Sequence, residues 1–202
     1  MVEVNLATIL LVFLSVQILF EQLKTIHTLT SASCKALSSI CKEVTFSKGN
    51  NIQEIGHTCN TIYFVKKGIV RIYYFKDSID ITESFEFENA FVARAESLFT
   101  RKPSRKAIQA IEDVVLIAID SKQLFSLFDS HADLERLFRK ITEASYVSTV
   151  NRIESLQFNT AEERYNALLR DNPNILKRVP LKYVASFLGI TQVSLSRIRA
   201  IK

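Results

Sequence analysis

The chain has 202 residues, of which 48% are apolar and 23% are charged. This composition excludes a disordered or fibrous protein, and the length allows one large domain or two small ones. The net charge is +5, and all of this surplus lies in the last 44 residues, where eight basic residues outnumber three acidic ones. Such asymmetry favours a polyanionic partner for that end, although a solvated basic surface would also account for it.

Neither the cysteines nor the histidines are arranged as a metal site. They stand singly along the chain at Cys34, Cys41, Cys59, His27, His57 and His131. Their spacing matches no zinc or iron–sulfur motif, so we expect free buried thiols in a reducing cytosol and no metal or other cofactor. The sequence also lacks a Gly-rich phosphate loop and a recognisable Ser/His/Asp arrangement, and we therefore expect no enzyme activity.

The first predicted element is an apolar N-terminal helix. Leu6 to Phe20 is almost wholly apolar, but a helix of that length spans roughly 22 Å, which is less than the roughly 30 Å hydrocarbon core of a bilayer. No basic region precedes it and no cleavage site follows it, so it does not resemble a signal peptide. We expect a helix packed on the protein or an extension from an early start codon, with a marginal membrane anchor as the alternative.

A β-rich segment follows. Residues 21–42 have the apolar spacing of a helix, and the pattern then changes to period two. Asn60 to Tyr74 is rich in β-forming residues and is interrupted at Lys67-Gly68, which predicts two strands around a tight turn. Ile79 to Phe87 alternates as a half-buried strand does, and Ala107 to Ile119 predicts two more short strands. Together these segments predict an antiparallel sandwich or roll.

Helices are predicted beyond the roll. Asp120 to Phe128 predicts a short helix with Asp120 or Ser121 as its N-cap. Asp133 to Phe158 contains no Gly or Pro and carries an apolar stripe at spacings of three and four residues. The stripe fits packing against the roll or a coiled-coil seam between two copies, and its length favours the seam. The remaining residues are predicted to be helical, with breaks at Asn172-Pro173 and Val179-Pro180.

Two amphipathic helices joined by a tight turn are predicted from Leu181 to Ala200. Gly189 stands where the turn requires a positive φ, and Thr191 is a suitable N-cap for the second helix. Pro180 precedes the first helix, where its missing N–H is harmless, and Ala185 is small where the helices cross. The predicted shared core consists of Val184, Leu188, Ile190, Leu195 and Ile198. This combination indicates a DNA-binding helix-turn-helix, with an ordinary helical hairpin as the alternative.

The second helix of such a pair presents base-reading and phosphate-contacting side chains to DNA. The base-reading candidates are Gln192, Val193, Ser196 and Arg197. The phosphate-contact candidates are Thr191, Ser194, Arg199 and Lys182. Arg197 could pair bidentately with guanine and Gln192 with adenine, while Val193 could touch a thymine methyl group.

The order of these elements resembles the Crp/Fnr family of bacterial transcription regulators over about residues 20–202. The segments that carry the resemblance are Ile62 to Gly68, Pro103-Ser104, Ile108 to Asp113, Ala161 to Tyr165 and Val179 to Arg199. The chain is most similar to the compact branch of the family that is common in Bacteroidetes. The branch often ends soon after the recognition helix, as this sequence does at Lys202.

The resemblance implies an α+β chain in four parts. These are an apolar N-terminal extension (1–19), a cyclic-nucleotide-binding-like effector domain (20–130), a dimerisation helix (131–158) and a helix-turn-helix DNA-binding domain (159–202). The effector domain would be an antiparallel β-roll, or double-stranded β-helix. The DNA-binding domain would be all-α and winged-helix-like, without the β-wing.

The resemblance also bears on the effector. Family members that bind cyclic AMP have a Gly-Glu pair that opens a short helix, followed by an Arg-Ser/Thr-Ala motif that neutralises the phosphate. Aligned on Glu88 to Phe91, the pair falls at Ala93-Arg94, so a base replaces the acid. The second motif falls at Pro103-Ser104, with Arg105 displaced. We therefore expect no tight binding of cyclic AMP, and Arg94, Ser104 and Arg105 are candidates for contact with another anion or line an empty pocket.

The sequence thus predicts a homodimeric, cytoplasmic transcription regulator that binds a two-fold operator in double-stranded DNA. RNA polymerase is a candidate partner, a small-molecule effector is left open, and no stable membrane association is expected. The alternative function is a ligand-sensing module that acts through protein contacts and carries a vestigial helix-turn-helix. A third interpretation is a membrane-tethered sensor that uses the apolar N-terminal segment.

Overall fold

The computed structural model describes residues 6–200, with the side chains of the first helix described from Val16 onward. The helices are α1 (Leu6–Ile26), α2 (Ser31–Ser39), α3 (Ala95–Thr100), α4 (Ser121–Phe128), α5 (Ala132–Phe158), α6 (Ala161–Asp171), α7 (Ile175–Arg178), α8 (Leu181–Phe187) and α9 (Gln192–Ala200). The strands are β1 (Cys41–Phe46), β2 (Asn51–Gln53), β3 (Thr61–Lys67), β4 (Val70–Lys76), β5 (Ile79–Glu86), β6 (Phe91–Val92), β7 (Ala107–Ala110) and β8 (Val114–Asp120). The predicted order of a β-rich segment, a long helix and a helical C-terminal region is confirmed.

The described strands form an antiparallel β-roll of two sheets. One sheet has the order β1-β8-β3-β6 and the other has the order β2-β7-β4-β5. Apolar side chains from both sheets share one buried core, to which β3 contributes Val65, β4 contributes Ile72 and β8 contributes Leu116. The roll therefore has the layered architecture that the alternating sequence pattern predicts, with apolar side chains of both sheets pointing inward.

Local sequence signals explain two tight turns of the roll. Gly68 links β3 to β4 with φ +95°, and a Cβ atom there would lie 2.7 Å from Cγ1 of Val114, so only glycine fits. Asp77 and Ser78 link β4 to β5 with φ of 50° and 64°. Positive φ at both central residues is the conformation of a type I′ hairpin turn, which matches the twist of the flanking strands.

The helical segment expected over residues 21–42 is wrong in its continuity. Helix α1 ends at Ile26, α2 begins at Ser31, and Cys41 already lies in β1, where it pairs with Ile119 of β8. That pairing joins distant parts of the chain and leaves no local periodicity. Three other short elements, β2, β6 and α3, were also not predicted, because two to six residues contain too few repeats of either period.

The helix starts follow capping chemistry. Asp120 caps α4, as predicted, with its carboxylate accepting the Gln123 N–H at 2.8 Å. At the start of α6, Thr160 Oγ1 accepts the Glu163 N–H at 3.2 Å, and Glu163 Oε2 accepts the Thr160 N–H at 2.7 Å. This reciprocal capping box satisfies two otherwise unpaired donors and sets where the C-terminal helices begin.

The C-terminal half of α1 packs on the protein. Val16, Leu19 and Leu23 are buried in a core that also contains Phe64 of β3 and Leu134 of α5. The rest of the apolar segment, and the predicted extension over residues 1–19, lies largely outside the described side chains. Among the helices that the structure describes, none is both long and apolar enough to traverse a bilayer.

Candidate nucleic-acid interface and effector pocket

The turn between α8 and α9 has the geometry that Gly189 predicts. Gly189 has φ +70°; its N–H donates to the Ser186 carbonyl at 3.0 Å, and the Ile190 N–H donates to the Ala185 carbonyl at 3.1 Å. These two bonds form a Schellman motif, which ends α8 and redirects the chain. Two residues later, Thr191 Oγ1 accepts the Ser194 N–H at 3.1 Å and caps α9.

Helices α8 and α9 are held together by an apolar core. Val184, Ala185, Leu188 and Leu195 are buried in one cluster with Ile175 and Tyr165 of the preceding helices, and Ile190 and Ile198 pack against it. Both predictions about this pair, the shared core and the tight turn, are confirmed. The core orients α9, because its apolar side faces inward and its opposite side is left to solvent.

The predicted base-reading residues all lie on the exposed side of α9. Gln192, Val193, Ser196 and Arg197 are exposed, and Val193 leaves 62% of its surface accessible. An exposed β-branched residue at the start of a short helix has no packing role, and it places an apolar group between two polar ones. The surface therefore offers the mixed hydrogen-bonding and apolar contacts that a base edge requires.

The predicted phosphate-contact residues differ in whether their polar groups already have hydrogen-bond partners. Lys182 and Arg199 are exposed, and Lys182 Nζ lies 4.7 Å from the centroid of the Tyr183 ring. The hydroxyls of Thr191 and Ser194 lie 3.0 Å apart, and Thr191 Oγ1 already serves as the cap of α9. The two cations are thus available to a polyanion, whereas the two hydroxyls are tied to each other.

Two of the eight C-terminal basic residues serve the protein itself. Arg164 donates from Nε and Nη2 to the Leu188 carbonyl at 3.0 and 2.9 Å, which satisfies a carbonyl at the end of α8. Arg178 forms ion pairs with Glu88 and Glu112 of the roll, and its hydrogen bonds to Glu88 lower the pKa of that carboxyl. The charge surplus overestimates the surface available to a polyanion, because these guanidinium groups join elements of the fold.

Helix α5 changes its surroundings along its length. Leu134, Leu137 and Phe138 are buried against the roll, so packing accounts for the start of the apolar stripe. Residues 142–149 are all exposed. Within this stretch Tyr146 and Val147 are exposed at 71% and 55%, and beyond it Ile153 is exposed at 49%. Two turns of helix without any covering side chains, with exposed apolar residues in and after them, leave a surface suited to a partner.

The effector-pocket candidates occupy three different settings. Arg94 precedes α3 and is buried, with 9% of its side chain accessible; its Nη1 lies 3.5 Å from Glu83 Oε1, and its Nε has no partner within the described residues. Ser104 is buried, but its hydroxyl already donates to the Lys106 carbonyl at 2.8 Å and accepts the Lys106 N–H at 3.1 Å. Arg105 is exposed. Of the three, Arg94 is the one that places an unsatisfied polar group inside the roll.

Sequence reasoning missed the residues that face Arg94. Glu83 of β5 pairs with both Arg94 and Lys106. Glu86, on the same strand, accepts a hydrogen bond from the Ser84 hydroxyl at 2.9 Å, and burial raises the pKa of its carboxyl to about 7. The pocket thus contains its own carboxylates. The cluster of basic residues before β7, which ends at Lys106, was a sequence signal for Lys106. Nothing in the local sequence indicated Glu83 or Glu86.

Within the described residues, no group of three or more His, Cys, Asp or Glu side chains could hold a metal ion. The three cysteines are free, and Cys41 and Cys59 are buried. Burial raises the pKa of the Cys41 thiol to about 12. Such a thiol stays protonated at neutral pH and is a poor nucleophile and metal ligand.

Comparison with known proteins identifies one domain and the overall fold. Residues 43–131 match the cyclic nucleotide-binding domain family. None of the curated proteins matches this sequence. Among solved structures, the chain is similar to FixK2 from Bradyrhizobium japonicum, with a TM-score of 0.70, 19% identity and coverage of 80% of this chain and 83% of that one.

Two further solved structures have the same arrangement. A proposed transcriptional regulator of the Crp/Fnr family from Eubacterium rectale matches with a TM-score of 0.66 and 19% identity, over 84% of this chain and 82% of that one. The c-di-GMP-responsive global regulator CLP of Xanthomonas campestris matches with a TM-score of 0.66 and 17% identity, over 84% of this chain and 89% of that one. At these identities the similarity establishes the fold.

Proposed function

Because the chain carries a cyclic nucleotide-binding domain and has the fold of the Crp/Fnr regulators, we propose that it is a DNA-binding transcription regulator of this type. The observation that carries the proposal is the orientation of α9. Its apolar side is anchored in the core of the C-terminal helices, and Gln192, Ser196 and Arg197 project from the opposite side. A helix held in this way fits the major groove of B-DNA, which admits one α-helix.

We assign the contacts on DNA by side-chain chemistry. Arg197 presents a planar fork that fits the O6 and N7 acceptors of guanine, and Gln192 has the donor and acceptor that adenine requires. Val193 and Ser196 complete the base-reading set. Lys182 and Arg199 contact phosphates. Of the paired Thr191 and Ser194 hydroxyls, the one that accepts their shared hydrogen bond keeps its own O–H free to donate to a phosphate near the start of α9.

The regulator acts as a homodimer through α5 in this proposal. The uncovered turns at residues 142–149 and the exposed Tyr146, Val147 and Ile153 support it, because a second copy of the same helix would cover them. Two-fold symmetry then places the two α9 helices on successive turns of DNA, about 34–36 Å apart. Sedimentation equilibrium checks the state of the wild-type chain, and Ile153→Glu is expected to shift a dimer towards monomer.

The effector of this regulator is not cyclic AMP in our proposal. The position of the ribose-binding acid carries Arg94, and both Arg94 and the nearby Lys106 are already paired with Glu83. A phosphate would have to displace that carboxylate, and the ribose hydroxyls would lose their acceptor. Isothermal titration calorimetry tests this point, since binding in the micromolar range or tighter would contradict it.

The central experiment is selection of genomic DNA fragments by the purified wild-type protein, followed by fluorescence anisotropy on the selected site. We expect an inverted repeat and a steep dependence of affinity on salt concentration. Arg197→Ala should cost about 1–3 kcal/mol of discrimination between the selected site and random duplex. Arg170→Ala is the matched control, because Arg170 is an exposed arginine in the same domain, on α6 and outside the proposed reading surface.

Two outcomes would contradict the proposal in different ways. If no sequence is enriched, the helix-turn-helix is vestigial, and the chain acts as a ligand-sensing module through protein contacts. If an inverted repeat is enriched but Arg197→Ala leaves discrimination unchanged, DNA binding stands and the assignment of Arg197 is wrong. An equal loss in Arg170→Ala would mean that overall charge, not the α9 surface, governs binding.

A further inference from the structure

A fully buried arginine lies between the β-roll and the C-terminal helices. Arg71 is the second residue of β4, and only 1% of it is accessible. Its guanidinium makes a bidentate ion pair with Asp80, at 2.6 and 2.7 Å, and donates to Thr82 Oγ1 at 3.0 Å and to Gln109 Oε1 at 2.8 Å. Burying a charge costs several kcal/mol unless it is paired and hydrogen-bonded. The roll thus satisfies the edges of this guanidinium by itself.

Two tyrosine rings contact the guanidinium, one from the β-roll and one from the C-terminal helices. The ring of Tyr73, on the same strand, lies 4.2 Å from the Arg71 Cζ atom. The centroid of the Tyr183 ring, on α8, lies 3.7 Å from the same Cζ atom. Guanidinium faces are weakly hydrated and stack well on aromatic rings. The partners of Arg71 within the roll therefore hold its guanidinium in place, and the Tyr183 ring stacks on it.

Other residues of α8 contact β5, the edge strand that pairs with β4. Ser186 Oγ accepts the Thr82 N–H at 2.8 Å and donates to the Asp80 carbonyl at 3.1 Å. Phe187 packs on Phe85 with 5.3 Å between ring centroids. Since Tyr183, Ser186 and Phe187 are spaced i, i+3 and i+4, they lie on one side of α8. Strand β5 is an edge strand, and Ser186 satisfies backbone groups that would otherwise be open.

We propose that Arg71 and Tyr183 form a positioning joint that fixes the α8–α9 pair on the β-roll. The reading side of α9 remains exposed in the docked arrangement, so the joint presents this helix and does not mask it. Arg71 would then influence DNA binding without touching DNA. This last consequence rests on the proposed function, whereas the joint itself does not.

The joint should matter most when a dimer binds a two-fold DNA site. A dimer gains full affinity only when both α9 helices are held at the spacing of one DNA turn. A loosened pair has to be ordered on binding, and the ordering cost is subtracted from the affinity. Loss of the joint should therefore weaken binding to a complete inverted repeat and leave binding to a single half-site nearly unchanged.

The test compares Tyr183→Leu, which removes the ring, with Tyr183→Phe, which keeps it. Amide hydrogen exchange of the full-length protein, without DNA, is the first measurement. The Thr82 amide is a specific reporter, because its acceptor is Ser186 on α8 and not another strand. We expect Tyr183→Leu to accelerate its exchange by about five- to thirtyfold, the range for a desolvated cation–π contact. Tyr183→Phe should restore the wild-type rate.

Two further comparisons separate the joint from a general loss of folding. In an Arg71→Met background, Tyr183→Leu should have little additional effect on Thr82 exchange, since the partner is already gone. Amides of β5 that bond to β4 should keep their protection in every variant. Additive effects of the two substitutions, or an unchanged Thr82 rate in Tyr183→Leu, would overturn the proposal.

The second measurement uses the DNA fragment selected by the wild-type protein. Tyr183→Leu should bind the full inverted repeat about tenfold more weakly, with half-site affinity and salt dependence unchanged. Equal losses on half-site and full site would overturn the positioning role and indicate a direct effect on α9. If the wild type selects no sequence while Thr82 exchange still responds as expected, the joint stands and the proposed function fails.

Discussion

Replacing Glu86 by Gln is expected to stabilise the protein at neutral and alkaline pH. The Glu86 side chain is half-buried on β5, and the desolvation of its carboxyl raises the pKa from the ordinary 4.5 to about 7. The hydrogen bond from Ser84 and the charge of Arg94 lower this pKa, while the negative charge of Glu83 raises it. The charged form is therefore the one that the fold disfavours, and the amide of Gln carries no charge to bury.

The sign and size follow from proton binding. Between pH 4.5 and 7 the folded protein holds a proton on Glu86 that the unfolded chain has already released, so stability falls as the pH rises through this range. Each unit of pKa difference corresponds to about 1.4 kcal/mol, which gives a loss of about 3 kcal/mol above pH 7. Glu86→Gln lacks this loss, and its advantage over the wild type should grow from about zero near pH 4.5 to about 3 kcal/mol at pH 8.

Urea denaturation of both proteins from pH 4.5 to 8.5 measures the difference in the free energy of unfolding. Taking the difference removes the titrations that both proteins share. Glu96→Gln, which changes an exposed carboxyl on α3, is the control and should show no comparable trend. A difference between Glu86→Gln and the wild type that stays constant across the pH range would refute the reasoning, since it would mean that Glu86 titrates normally in the folded protein.

Two further substitutions test the turn and the pocket. Gly189→Ala should cost about 1–2 kcal/mol in urea denaturation because φ +70° is left-handed, and Gly189→Asn should cost less because Asn tolerates this region; equal costs would contradict the backbone argument. Glu83→Gln should free Lys106 and Arg94 to hold an anion, so inorganic phosphate should raise the melting temperature of this variant more than that of the wild type at constant ionic strength. An equal rise in both proteins would show that pairing with Glu83 does not keep Arg94 and Lys106 from binding an anion.

Local signals determined the parts of the fold that sequence reasoning predicted well. The α8–α9 pair depends on a left-handed glycine, an N-cap and an amphipathic pattern within twenty residues, and each of these has a local physical cause. The tight turn between β3 and β4 likewise follows from Gly68, and α4 from Asp120. The long α5 was predicted for the same reason, because an uninterrupted helical period is visible without knowledge of its partners.

The candidate site was predicted less completely, because its residues meet through long-range packing. Glu83 lies beside Arg94 through the pairing of β5 with β4, which shifts register between Ile72 and Tyr73. Such an irregularity changes which side chains face the interior and has no sequence marker. The acids of the pocket were therefore invisible in a sequence whose alternation suggested an ordinary half-buried strand.

The α8–α9 pair and its exposed surface were determined by the sequence alone, since helix period, cap and turn are encoded within neighbouring residues. The tertiary structure decided what holds that surface in place. In the folded chain Arg71 is buried beneath Tyr183, and Arg164 and Arg178 form hydrogen bonds and ion pairs that connect elements of the fold. Composition counts these guanidinium groups as positive charge, but their partners come from β5, α8 and the roll loops. Only the folded chain brings such distant segments within hydrogen-bonding range.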